Sequence, residues 1–190
     1  MKPKDAEKLR KIVQATYALV QQRGLAALTL AEIARSAGIA TSTLYIYFDS
    51  KQALLDQLYQ DAKTATFERL VADAAPTLPL KARVRSIWLN MLANRLANPA
   101  EIIFMEQYTS SQFMSESNRE LGGRLSGFFH AILKSGQEEE SLKAVPLPFL
   151  MALFLGSVQE TARLVRQNVL ADDDQTRATG FLLCWDAIKA

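Results

Sequence analysis

The chain has 190 residues, a net charge of +2, 49% hydrophobic and 22% charged residues, a balance that allows a sizeable core and argues against a disordered or fibrous protein. Cys184 is the only cysteine and His130 the only histidine, which excludes an intrachain disulfide and leaves no ligand set for zinc and no nucleophile motif around the histidine. No apolar run approaches the roughly 18 residues of a membrane span, and the opening MKPKDAEKLRK lacks the apolar stretch of a signal peptide, so a cytoplasmic protein with no membrane contact and no metal or other cofactor is expected.

Charge is unevenly placed. Residues 1–55 carry eight Lys/Arg against four Asp/Glu, a surplus of four, while the rest of the chain has a deficit of two. A basic front on a mildly acidic body suits a protein that meets nucleic acid at one end, although a surplus of this size is common and does not assign that role by itself.

Residues 5–23 read as a first helix. Leu9, Ile12, Val13, Thr16, Tyr17 and Val20 make its apolar stripe, Asp5 and Glu7 sit at its start, and Gly24 stops it. Lys2 and Lys4 precede it, either as a solvated tail or as a reach toward a phosphate backbone. The stretch TLAEIARSAGIATSTLYIYFDSK, residues 29–51, follows. Thr29 and Glu32 match a capping box, Leu30, Ile33, Ala34 and Ala37 share a face, and Gly38 suits the left-handed residue of a sharp turn. A second short helix is predicted from about Thr41 to Tyr47, with Leu44 and Phe48 inward and Ser42, Tyr45, Ile46 and Asp49 outward. Two short helices about a Gly turn, the second offering hydroxyls and aromatics, suit a helix-turn-helix.

Ser50 is placed to cap a fourth helix over 51–72, lined inward by Ala53, Leu54, Leu58, Ala62 and Ala65. Lys51 stands beside the free N–H groups at its start. Ala74-Ala75-Pro76-Thr77-Leu78-Pro79 breaks the helical pattern. Further helices are predicted over 81–97, 100–111, 116–136, 147–170 and from Asp172 onward. The run from Leu147 to Val158 is apolar almost all round, which implies burial on several sides. No segment has a β period, so the predicted fold class is all-α with about nine helices.

The string TLAEIARSAGIATSTLYIYFDSKQALL resembles the DNA-binding signature of the tetracycline-repressor (TetR) family. Thr29, Ile33-Ala34, Ala37-Gly38-Ile39, Leu44-Tyr45, Tyr47-Phe48, Ser50-Lys51 and Leu54 carry the resemblance, which covers the first quarter to third of the chain. It implies a helix-turn-helix head at 1–50 and a ligand-binding and dimerisation body at 51–190, with the helix at 51–72 linking the two. The implied partner is double-stranded operator DNA. By position in the motif, Thr29, Thr43, Tyr47 and Lys51 would hold phosphates, Thr41, Ser42 and Tyr45 would face base edges, and Ile46 would meet a thymine methyl. Many members carry Ser where this chain has Ala40, so capping of the second short helix is expected to pass to Thr41. No Arg, Lys, Asn or Gln lies between Thr41 and Tyr47, so specificity is expected to rest on methyl contacts, Tyr hydroxyls and DNA shape.

Members of the family bind as twofold dimers through their last two helices. That resemblance puts residues 147–166 and 176–189 at a homodimer interface, with Phe149, Leu153, Gly156, Gly180 and Leu183 as contacts; the other reading buries both helices against their own subunit. It also implies an effector pocket in the body, lined by Trp88, Met91, Phe104, Tyr108, Phe128 and Phe154 with Gln107 as polar anchor, although aromatics and Met at helical spacing equally make plain core. The expected function is a ligand-responsive regulator, most simply a repressor that leaves a palindromic operator when a small hydrophobic effector moves the helix at 51–72. The alternatives are the same fold under a protein partner's control, and an all-α enzyme, for which the sequence offers no acid–base pair.

Overall fold

The computed structural model of the protein describes residues 3–190, with side chains from Asp5 onward. Lys2 and the side chain of Lys4 lie outside the described residues, and with them the phosphate reach considered for that tail. Among the described residues the chain forms nine helices: α1 Pro3–Arg23, α2 Leu30–Ser36, α3 Thr41–Tyr47, α4 Lys51–Val71, α5 Leu80–Ala97, α6 Pro99–Thr109, α7 Glu116–Glu138, α8 Leu147–Arg166 and α9 Asp174–Ile188. The all-α class read from the sequence holds. The strand-like pairing among the described residues is an isolated bridge between Leu142 and Lys189.

Local chemistry sets the helix ends. At α2 the Glu32 N–H donates to Thr29 Oγ1 at 3.2 Å and the Thr29 N–H donates to Glu32 Oε2 at 3.2 Å, which completes the capping box. The hydrogen bond from Thr29 holds the Glu32 carboxyl below its usual range. Replacing Thr29 by Ala is expected to cost about 1 kcal/mol, read as a lower urea midpoint at unchanged slope. Gly24 and Gly38 sit at φ +79° and +67°, a region that L side chains avoid, and each turns the chain out of a helix. Ser50 Oγ accepts from the Ala53 N–H at 3.0 Å and starts α4. Several helix ends differ from expectation by two residues or more, and local chemistry accounts for those of α8 and α9. Helix α8 stops at Arg166 rather than 170, because Asn168 turns to φ 56°, and α9 begins at Asp174 because Asp173 is its cap, accepting from the Thr176 N–H at 2.8 Å.

Packing divides the chain into two compact units, at places other than the functional boundary expected at residue 50. The first holds the residues up to Thr64 together with Pro99–Gly122; the second holds Ala65–Asn98 and Gly123–Ala190. In the first, α1 packs on α2 and α6, and α2 on α3. Its core includes Ile12, Ile33, Leu44, Leu54, Leu55 and Phe104, and Phe48 packs partly buried against it. Helix α6 joins this unit through its aromatics: the rings of Tyr17 and Phe104 lie 5.2 Å apart, and Tyr59 stacks on Tyr108 at 4.7 Å.

In the second unit α5, α8 and α9 pack on one another around Trp88, Phe154 and Phe181. Helix α8 buries Leu150, Phe154, Val158 and Ala162, one face at helical spacing. Of its other large apolar residues, Leu147 and Met151 pack partly buried against the same core, whereas Phe149, Leu153 and Leu155 are exposed. The burial on several sides expected for α8 is therefore not met within one chain: a single protomer supplies a wall for only one of its faces.

Candidate nucleic-acid interface

Helix α3 is held from below and open above. Leu44 is fully buried, whereas Tyr45 and Ile46 are 52% and 79% exposed and Thr41, Ser42 and Asp49 are exposed beside them. The helix carries no charged residue in its first or last turn. A bulky apolar side chain as exposed as Ile46 gains nothing from the fold, so this face is available to something outside the chain. Thr29, at the start of α2, is also exposed, and Thr43 is half-buried.

The capping expected of Thr41 is corrected. The backbone turns helical one residue earlier, so Ala40 is the N-cap with φ −67° and ψ 144°, no side chain caps the helix, and Thr41 is its first residue. Tyr47 differs from Tyr45. It is half-buried, and its hydroxyl donates to Asp5 Oδ1 at 3.0 Å. Burial first, then the Asp5 carboxylate, raises its pKa and keeps the proton on. A phenol has one hydrogen to donate. Tyr47 can therefore hold a phosphate only after releasing Asp5, and in this state it ties α3 to α1.

Lys51 opens α4 and is already engaged. Its Nζ donates to the Ala26 carbonyl at 3.1 Å and lies 4.6 Å from the centroid of the Phe113 ring. Desolvation lowers its pKa, opposed by the charge of Glu32. Ala26 belongs to the turn between α1 and α2, and Phe113 to the loop after α6. Both face an open recess of about 600 Å³ that Arg23 and Gln107 also line. Gln107 accepts the Leu25 N–H at 2.9 Å, and Gln52 Nε2 donates to the Phe113 carbonyl at 2.7 Å. These ties hold the α1–α2 turn and the start of α4 against the α6–α7 corner. The motif of residues 29–51 carries no signal for Gln107 or Phe113.

Six of the seven residues considered for an effector pocket are divided between the two cores. Phe104 and Tyr108 are fully buried in the first; Trp88 and Phe154 are fully buried in the second, with Met91 and Phe128 packed against it. Tyr108 donates to Asp56 Oδ1 and accepts from Asn118 Nδ2 at 2.8 Å, so its polar end serves the fold. Gln107 has its carbonyl oxygen on Leu25, in place of the free anchor expected. Trp88 Nε1 donates to Ser157 Oγ at 2.9 Å.

Of the residues considered for a dimer interface, Phe149 is 64% and Leu183 68% exposed, Leu153 is exposed, and a Cβ at Gly156 would meet nothing within 4 Å. Gly180 also has a close neighbour within its own chain. A Cβ there would lie 2.7 Å from Trp88 Cη2, so its small size is needed for internal packing. Among the described residues no three His, Cys, Asp or Glu side chains are grouped to hold a metal, and no helix is long and apolar enough to cross a membrane.

A short helix α2 buried on one face, a left-handed Gly turn and a short second helix α3 with an exposed face define a helix-turn-helix DNA-binding protein. The family model for bacterial regulatory proteins of the tetR family matches residues 12–58, and the tetracyclin repressor-like C-terminal domain model matches residues 79–189. The chain belongs to the TetR family of transcription regulators. An HTH-type transcriptional regulator of Haemophilus influenzae is 30% identical over 99 residues, 52% of this chain, and the match spans 53%, about half, of that relative's length. The fatty acid metabolism regulator protein of Bacillus subtilis is 22% identical over 158 residues, 81% of each chain. The crystal structure of a TetR family transcription regulator from Marinobacter aquaeolei superposes with a TM-score of 0.89 at 22% identity, covering 100% of this chain and 99% of that one, a likeness of fold.

Proposed function

We propose that the protein is a ligand-responsive repressor that grips a palindromic operator as a homodimer in the cytoplasm and leaves it when a small hydrophobic effector binds the body. The observation that carries the DNA-reading part is the open face of α3, where Tyr45 and Ile46 stand exposed beside Thr41 and Ser42. Thr41, Ser42 and Tyr45 face base edges, Ile46 takes a thymine methyl, and Thr29, Thr43 and Lys51 hold phosphates. Tyr47 positions α3 through Asp5 and joins the phosphate contacts only on releasing it. Seven residues of α3 cover few base pairs, which supports two heads on half-sites about one helical turn apart or more. The exposed Phe149, Leu153 and Leu183 support α8 and α9 as the surface that joins them.

For the effector, the support is the apolar body and the relative named for fatty acid metabolism. Complete burial of Trp88 and Phe154 favours a second reading, in which a protein partner controls the same dimer. Selection of bound duplexes from a random pool tests the first part. A twofold-symmetric consensus is expected; recovery of unrelated sequences at low salt would overturn it. In that assay Tyr45→Ala is expected to cost about 1–3 kcal/mol and to relax preference at one position. Release of the selected duplex by fatty acids or their thioesters separates the two readings of control.

A further inference from the structure

Lysine is a poor tool for holding one phosphate. Its ammonium sits on a flexible four-carbon stem and gives up much rotamer freedom when it docks. A seat that holds the ammonium in the free protein removes part of that cost before DNA arrives. Lys51 has such a seat. The Ala26 carbonyl takes one of its three donors at 3.1 Å, and the Phe113 ring covers it at 4.6 Å, within the range of a cation–π contact. The seat is itself fixed. Gln52 Nε2 donates to the Phe113 carbonyl at 2.7 Å, the Phe113 N–H donates to Ser111 Oγ at 3.1 Å, and Gln107 holds the N–H of Leu25, next to Ala26. The ring packs partly buried against the first core. Two ammonium sides are thus taken by the protein, and a donor remains for a phosphate oxygen.

We propose that Phe113, on the loop after α6 and outside the helix-turn-helix, is a positioning residue for DNA binding: its ring and the Ala26 carbonyl seat the Lys51 ammonium for a phosphate. The inference rests on the reading of Lys51 as a phosphate contact. Phe113 itself touches no DNA, so it acts on affinity for all sequences alike and leaves base preference unchanged.

The test is a set of duplex affinities, measured on the full-length protein over a range of salt, for Lys51→Ala, Phe113→Ala, Phe113→Leu, Phe113→Tyr and the Lys51→Ala/Phe113→Ala pair, with the unfolding midpoint of each. Lys51→Ala is expected to weaken every duplex about tenfold and to flatten the salt slope by about one. Phe113→Ala and Phe113→Leu each weaken binding about three- to fivefold, the second while keeping the apolar volume; Phe113→Tyr keeps the ring face and the affinity. In the Lys51→Ala background the Phe113→Ala change has no further effect. An equal loss with and without Lys51 would make Phe113 merely structural and overturn the inference. Unchanged affinity in both Phe113→Ala and Phe113→Leu, alongside a weakened Lys51→Ala, would overturn it as well. If Lys51→Ala binds as the parent does, the phosphate reading of Lys51 fails, and the seat has no function to serve. Should Phe113→Ala not fold, Phe113→Leu alone and with Lys51→Ala takes its place in the comparison.

Discussion

Replacing Leu183 by Glu is expected to leave the protomer folded, abolish self-association and weaken operator binding roughly a hundredfold or more, the scale on which linked binding sites lose their advantage when parted. The side chain is 68% exposed in the single chain, so a carboxylate there meets water and disturbs no packing of that chain. Phe149 at 64%, Leu153 and Leu182 are exposed on the same pair of packed helices, α8 and α9. An apolar face of this kind is stable in water when a second copy covers it, and a twofold contact places the introduced carboxylate in the buried patch twice, once from each copy. Sedimentation velocity and gel-shift titration on the same samples check both halves of the expectation. A parent protein that sediments as a monomer, or a Glu variant that still dimerises, would remove α8 and α9 from the interface.

Trp88→Ala is expected to lower stability by about 3–5 kcal/mol, read from denaturant midpoints. The indole is fully buried, its N–H donates to Ser157 Oγ, and its ring centroid lies 6.3 Å from that of Phe181 in an edge-on contact. Gly180 lies against the indole, where a Cβ would come within 2.7 Å, so Gly180→Ala forces the ring to shift and costs about 1–3 kcal/mol alone. In the Trp88→Ala background the same change fills vacated space and should cost little, a coupling that identifies the contact. A tryptophan that lined an effector pocket would behave differently, losing ligand response at nearly unchanged stability.

What was legible in the sequence is what short-range chemistry fixes. Thr29 and Glu32 are three residues apart, Gly38 follows the C-cap Ala37 of α2, and Ser50 lies three residues before the N–H that it accepts, so α2, the turn and the start of α4 could be read residue by residue. The outward face of α3 followed from helical spacing around Leu44. The Lys51 seat could not be read, because Gln52 and Phe113 are 61 residues apart and Leu25 and Gln107 are 82 apart, and no local pattern encodes such a pairing. The pocket residues were illegible for another reason: Trp88 and Phe104 have the spacing and polarity that both a core and a ligand wall require, and only burial separates the two. For α8, the sequence recorded how apolar the helix is without recording how many chains cover it.

The uncharged helix α3 has a consequence for salt dependence. Positive charge belongs to residues such as Lys51 at its margin, while the side chains exposed on α3, which the proposal turns to the bases, are a phenol, hydroxyls and an isoleucine. Counterions compete with the former and scarcely with the latter. On the proposed reading, a change in salt concentration therefore scales the affinity for every operator by a common factor and leaves their rank order the same.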